Sequence, residues 1–430
     1  MNTRTWPMIP GWRPLVHAVG SVLPAFGLRR VAAGLVFLAL LLGPVDFVVA
    51  DSQGTSSRDS LDQLSLAELA NVEVTTTSKE PEEVWKTPAA VFVLTQEDIR
   101  RSGATTIPEA LRLVPGVQVS RIDQDHWAVG IRGFADQFSK SLLVLMDGRS
   151  LYTPLFAGVY WALDDGIMIE DVDRIEVIRG PGGTIWGANA VNGVINIITK
   201  NARDTHGSLA AVGGGSVDHA IGAFRYGGGN GKDVDYRFYG KAFGAGPESH
   251  LDGASYDEGR FGQLGFRTDW TAGARDQFTV QSDVYKGGVG ERVGMGSFSP
   301  PGQTISDQAV AVSGGNFLAH WRHDIRPGSD IQIQAYYDRT YALAPHYGET
   351  RNTFDVDFIH HLTLLWRQNF IWGAGIRISP SDFVETVPSL DFTPHHIVNN
   401  VYSILTVNCD KVVGMRKRQW TQQHRMNDGE

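Results

Sequence analysis

The amino-acid sequence predicts an exported chain in which a compact α+β domain is followed by antiparallel strands of a transmembrane β-barrel. Three observations carry that reading: an uncharged N-terminal run behind a positive flank, alternating helix and strand signals from Ala89, and period-two hydrophobicity from about Gly207. The 430 residues hold 38 Lys and Arg against 47 Asp and Glu, a net charge of -9, which excludes a chain devoted to nucleic-acid phosphates. Cys409 is the single cysteine, so neither an intramolecular disulfide nor a multi-cysteine metal site can form. The 49 glycines lack collagen periodicity and instead suit many tight turns between strands.

Residues 1–50 read as a signal peptide. Arg13, Arg29 and Arg30 precede the uncharged stretch Val31 to Val45, and Val48-Val49-Ala50 supplies small residues before Asp51. At 15 residues the stretch is shorter than the roughly 20 that a spanning helix needs. The alternative, a buried core helix, is opposed by Gly34, Gly43 and Pro44. No other uncharged run reaches spanning length, so later membrane residence must use strands. Residues 51–86 form a polar extension in which Val72 to Thr77 is β-branched, followed by the acidic, proline-punctuated KEPEEVWKTP; the segment is expected to be extended and poorly buried.

Residues 87–201 carry the compact domain. AVFVLT reads as a strand, and the next stretch as two short helices, the second capped by Thr106, opened by Pro108 and stopped by Pro115-Gly116. Strand signals follow at Trp127 to Ile131, Ser141 to Met146, Arg174 to Ile178 and Gly193 to Thr199. From 202 to 396 the pattern alternates. Val234, Tyr236 and Phe238 share one face, and Asp235, Arg237, Tyr239 and Lys241 share the other. Such segments, joined by alternating short and long connections, fit a barrel with an apolar outside and a polar lumen. A soluble sandwich shows the same alternation, and the signal peptide with the strand aromatics favours the barrel.

Four stretches in order, TPAAVFVLTQEDIRRSGATTIPEALRLVPGVQVSRID, VGIRGF, LLVLMDGRSLYTPLFAGVYW and IEDVDRIEVIRGPGGTIWGANAVNGVINIITK, resemble the plug domain of TonB-dependent outer-membrane receptors. The resemblance implies a plugged barrel in the bacterial cell outer membrane that imports a scarce nutrient such as a ferric siderophore or cobalamin, with haem and sugars also open. It implies TonB and its inner-membrane energising complex as partners, contact with outer-membrane lipid, a small organic or metal-chelate ligand, and no cofactor. A periplasmic module using the plug alone is the alternative.

Residue by residue, the resemblance places the TonB box at Val72, Glu73, Val74, Thr75, Thr76 and Thr77, where an extended segment can add to a partner's sheet edge; an ordinary linker is the alternative. It implies that Arg132 and Arg179 face carboxylates on the inner barrel wall, against ordinary ion pairs. Gly180, Gly182, Gly183, Gly187 and Gly193 permit backbone conformations and close approaches closed to other residues. This loop lacks the Gly-Lys-Ser/Thr of a phosphate-binding loop. Ligand contacts are expected from the loops Arg121 to Trp127 and Leu151 to Trp161, through Asp125, His126, Trp127, Tyr152, Phe156, Tyr160 and Trp161, with packing against barrel loops as the alternative. His360-His361 and His395-His396 cannot each chelate from one sheet face, and no catalytic or metal motif stands out, so no enzyme is expected.

Family barrels have about 22 strands. Only about nine or ten are legible after Gly207, and residues 397–430, with Arg416-Lys417-Arg418, read as a divergent tail without sustained alternation. The barrel is therefore expected to be about half present, in a truncated copy explained by a frameshift, a premature stop or an incomplete gene model.

Overall fold

The computed structural model describes residues 73–76, 82–84, 87 and 89–425, apart from 125, 156–157, 162–166, 188, 217, 249, 251–252, 297–299, 301, 345–346, 365–367, 386–396 and 410–419. The signal-peptide reading of residues 1–50 lies outside them, as do Val72, Thr77, Asp125, Phe156 and His395-His396.

The first strands are short: β1 (Glu73–Val74) pairs with β2 (Glu82–Glu83). β3 (Val91–Thr95) then runs into helix α1 (Gln96–Ser102) through a capping box, in which Thr95 Oγ1 accepts from the Asp98 amide while Asp98 accepts from the Thr95 amide. Gly103, at φ 71°, ends this helix. Helix α2 (Ile107–Leu111) starts as its sequence predicts, with Thr106 accepting from the Glu109 amide and Pro108 in the first turn.

The hairpin β4 (Val117–Arg121) and β5 (Trp127–Ile131) follows. Then come β6 (Leu142–Met146), β7 (Arg149–Ser150), β8 (Tyr152–Thr153), β9 (Gly158–Val159) and β10 (Val172–Ile178). Helix α3 (Gly183–Trp186) and β11 (Gly193–Thr199) complete the domain. Its sheet has the order β3-β10-β11-β6-β7, antiparallel except for the β11–β6 pair. Ile175, Val177, Ile195 and Ile197 pack from one face onto Ile99, Ile107 and Leu111 of the helices. Ile178 and Val194 turn to the other face, beside Leu143, Leu145 and Ala190.

An antiparallel meander begins at Gly207. Its strands are β12 (Gly207–Gly213), β13 (Asp218–Gly229), β14 (Val234–Ala245), β15 (Gly259–Ala272), β16 (Asp276–Gly296), β17 (Gln303–Arg326), β18 (Ser329–Leu343), β19 (Tyr347–Leu364), β20 (Gln368–Glu385), β21 (Ile397–Cys409) and β22 (Trp420–Arg425). The sheet thus has eleven strands among the described residues, more than the nine or ten legible in sequence. The addition is β21 and β22, inside the stretch read as a divergent tail. Ladder pairing uses the main chain, so the β-branched and aromatic run from Ile397 extends the sheet without strict alternation.

Exposure along the strands decides between barrel and soluble sandwich. Phe238, Leu264 and Phe354 are 54%, 64% and 52% exposed, while their neighbours Arg237, Gln263 and Asp355 are 3%, 6% and 3% exposed. The apolar face looks outward and the polar face is covered, the reverse of a soluble sandwich and the arrangement that suits hydrocarbon. Connections alternate between ends, with 230–233, 273–275 and 327–328 at one and the longer 246–258 and 297–302 at the other.

Candidate functional site

The α+β domain meets the polar face of the meander at both ends of the strands. At the long-loop end, Gln124 Nε2 donates to Gly246 O at 2.9 Å and Arg121 lies 2.7 Å from Glu248. Burial raises the Glu248 pKa against the opposing pull of Arg121. His126 sits between two carboxylates, Nδ1 2.8 Å from Asp123 and Nε2 3.3 Å from Glu291 on β16. Only the imidazolium can donate to both at once. The Tyr160 hydroxyl donates to Glu291 at 3.4 Å, and its ring packs with Phe138 and Leu155 against Phe261, Val289, Val310 and Tyr347.

The two predicted ligand loops therefore reach the long-loop end, but their side chains differ in availability. Trp127 is 1% exposed inside the domain core, flanked by the Arg112 and Arg121 guanidinium groups at 5.5 and 5.1 Å. Trp161 lies in the same core. Tyr152 is half-buried, which raises its pKa. His126 and Tyr160 are the described candidates that bridge the domain to the barrel wall.

At the short-turn end the contacts are ionic. Asp171, at the foot of β10 and 2% exposed, is held by Arg225 of β13 and lies 3.6 Å from Arg237 of β14. Arg237 also donates to Lys200 O. Burial lowers the Lys200 pKa although Asp171 opposes it. Asp147 accepts from Thr199 Oγ1 at 2.8 Å and Gln281 at 2.9 Å, and Asp269 of β15 accepts from the Ala202 amide at 2.7 Å. Between the ends, Arg149 pairs with Asp338, and Arg351 donates to Thr153.

Arg132 and Arg179 lie elsewhere. Arg132 adopts φ 56°, with its amide donating to Gly116 O, and Arg179 Nη1 donates to Pro115 O at 3.1 Å. Among the described residues neither pairs with a barrel carboxylate; the ion pairs to the wall include those of Asp171, Asp147, Arg149 and Arg121, beside the His126–Glu291 contact. Asp171 was not singled out in the sequence, where it lies in an ordinary acidic turn.

Of the five loop glycines, three are demanded by geometry. A Cβ at Gly193 would lie 2.4 Å from Ile131 Cδ1 and 2.6 Å from Ile178 O, one at Gly182 would lie 2.7 Å from Val194, and Gly187 closes α3 at φ 78°. Gly180 and Gly183 meet nothing closer than ordinary contact.

The extension is not poorly buried where it is described. Val74 and Thr76 are fully buried. Glu176, equally buried on β10, accepts from the Thr75 and Thr76 amides at 2.9 and 2.8 Å and from the Thr76 hydroxyl. Asn196 Nδ2 donates to Thr76 Oγ1 at 3.0 Å and Trp186 Nε1 to Thr76 O at 2.6 Å. Arg174 lies 2.9 Å from Glu176; burial works against its charge, but the Glu176 and Asp173 carboxylates outweigh it and raise the pKa. A carboxylate inside an apolar strand needs such partners, and the threonine-rich segment supplies them. His361 is buried beside Asp330 at 3.1 Å while His360 accepts from Trp372 at 3.0 Å on the other face, so the pair does not chelate.

A family model described as the TonB-dependent receptor plug domain matches residues 83–194. Vitamin B12 transporter BtuB of Vibrio vulnificus is 35% identical over 130 residues, 30% of this chain and 20% of that protein. BtuB of Vibrio cholerae is 30% identical over 184 residues, 42% of this chain and 27% of that protein. Among solved structures, a mutant of the ferric enterobactin receptor PfeA from Pseudomonas aeruginosa matches with TM-score 0.63 and 16% identity, over 82% of this chain and 59% of that one. The siderophore receptor PirA from Pseudomonas aeruginosa gives TM-score 0.56 and 19% identity, over 79% and 56%. At these identities the structural likeness shows the fold, and the matches to the transporters span about a quarter of their length or less.

Proposed function

Because the chain carries the plug domain of a TonB-dependent receptor followed by strands of that family's barrel, we propose that it is an outer-membrane receptor for TonB-driven import of a scarce nutrient. The carrying observation is the plug domain seated on the polar face of a sheet whose other face is apolar and exposed. A plug-only periplasmic module would have no use for that outward face. Cobalamin and ferric siderophores are the ligand classes, supported by what the similar proteins are named for.

The ligand approaches from the long-loop end, where His126 and Tyr160 join the plug to Glu291. Binding there competes with this bridge and so acts on the plug. At the N-terminus, residues 72–77 present backbone donors and acceptors to TonB, which adds a strand and pulls with energy from the inner-membrane proton gradient. The chain's own residues supply recognition and mechanical attachment, with no cofactor.

The purified chain in lipid vesicles should bind cyanocobalamin or a ferric siderophore, and should capture the periplasmic domain of TonB. Failure to bind the TonB domain under any ligand condition would overturn the proposal.

A further inference from the structure

We propose that the barrel rim at the short-turn end carries a binding site for the phosphate group of an anionic phospholipid, at the cavity lined by Arg275 and Arg326. The inference rests on the apolar outward face that places the strands in a membrane, and not on which nutrient is imported or how TonB engages the chain.

Arg275 of the turn 273–275 and Arg322 and Arg326 at the end of β17 line one cavity of about 680 Å³. The carboxylates of the same lining are Asp324 and Asp330, and both are engaged. Asp324 lies 3.3 Å from Arg322, while Asp330 lies 3.3 Å from Arg322, 3.1 Å from His361 and 3.0 Å from Gln332 Nε2. Asp276, next to Arg275 in the chain, accepts from Trp321 Nε1 at 3.0 Å and lies 2.8 Å from His323 Nδ1. Arg275 and Arg326 are exposed and have no side-chain hydrogen bond or close ion pair among the described residues. Two such guanidinium groups beside one cavity suit an anion, and their planar forks match the oxygens of a phosphate. Depth and surroundings choose the source of that phosphate. Trp270, Phe278 and Trp321 stack in series on the outward face, with ring centroids 5.1 and 6.2 Å apart, and such aromatic rows sit at the headgroup level of a bilayer. Towards the turns, Arg275 lies three residues from Phe278 and Arg326 five from Trp321, on the order of 10 Å further out in tilted strands. That is the layer of the lipid phosphates. Ile325, on the face of Trp321 and 37% exposed, and the exposed Pro327 beside it offer the glycerol and acyl part an apolar seat that free phosphate would not use.

The test uses the full chain in detergent micelles stripped of lipid, titrated with phosphatidylglycerol or phosphatidylcholine, with bound lipid counted by native mass spectrometry. Phosphatidylglycerol should bind on the order of tenfold or more tighter than phosphatidylcholine, and millimolar inorganic phosphate should not displace it. Arg275→Gln combined with Arg326→Gln changes exposed positions at the turns and should abolish the preference, whereas Arg275→Lys combined with Arg326→Lys should keep most of it. Lys232→Gln, at an exposed residue of another turn at the same end, should leave it unchanged. Equal affinity for the two lipids, or a preference that survives the double glutamine variant, overturns the site. A loss as large in Lys232→Gln reduces the effect to overall charge and overturns it too. Displacement by inorganic phosphate overturns the lipid as occupant.

Discussion

Asp171→Asn tests whether the plug is bolted to the barrel wall at the foot of β10. Asp171 is 2% exposed, and the guanidinium groups of Arg225 and Arg237 that face it are 10% and 4% exposed in their side chains. Asparagine keeps the shape and a hydrogen-bonding oxygen but withdraws the formal negative charge that lies between two buried cations from adjacent strands. Breaking a buried pair on one side costs about 3–5 kcal/mol, so the local opening equilibrium should rise on the order of a hundredfold or more. Hydrogen exchange of residues 167–178 and 193–200 in the full chain reads that opening. Adding Arg225→Gln to Asp171→Asn should recover part of the loss, because one stranded guanidinium is gone. Wild-type exchange in the single variant, or a double variant worse than the sum of the singles, would refute the anchor.

Four further outcomes follow from the same contacts. In an isolated peptide spanning residues 70–79, Val74→Pro should weaken binding to the TonB periplasmic domain far more than Glu73→Ala, since proline removes a main-chain donor; equal effects by calorimetry would rule out strand addition. A fragment of residues 73–200 should melt about 5 °C or more above one of residues 87–200, because only the longer one supplies the Thr75 and Thr76 donors to Glu176 and buries Val74; coincident melts would count against the docked segment. Gly193→Ala should cost the longer fragment about 1–3 kcal/mol through its clash with Ile131 and the Ile178 carbonyl, while Gly180→Ala, with open space at its Cβ, should cost less than about 1 kcal/mol; denaturant titration separates them. Hydrogen bonds from Arg100 and Arg101 hold the exposed Glu97 carboxyl at about 2, below its ordinary 4.5. Its folded pKa is depressed, so its contribution is present above about 4.5 and is lost as pH falls towards about 2; an NMR titration midpoint near 4.5 would contradict the pairing.

What the sequence could disclose divides along the range of the interactions. The Thr106 cap, the Pro115-Gly116 stop and the alternation around Phe238 are local, fixed by neighbours a few residues away, and were legible. Arg132 and Arg179 both meet the Pro115-Gly116 turn, which is remote from each of them along the chain, and no local pattern marks that contact. Asp171 and Arg225 are joined across 54 residues, and nothing local marks either. Glu176 left one trace: a carboxylate in RIEVI, between isoleucine and valine on a strand covered on both faces, must find donors or pay for its burial. Those donors come from Thr75 and Thr76, about a hundred residues earlier. The threonines that made the segment look like a free strand are the same groups that dock it, because β-branched hydroxyl residues suit an exposed edge and a buried carboxylate equally well. Composition therefore identified the segment, and only the position of Glu176 distinguishes its held state from its free one.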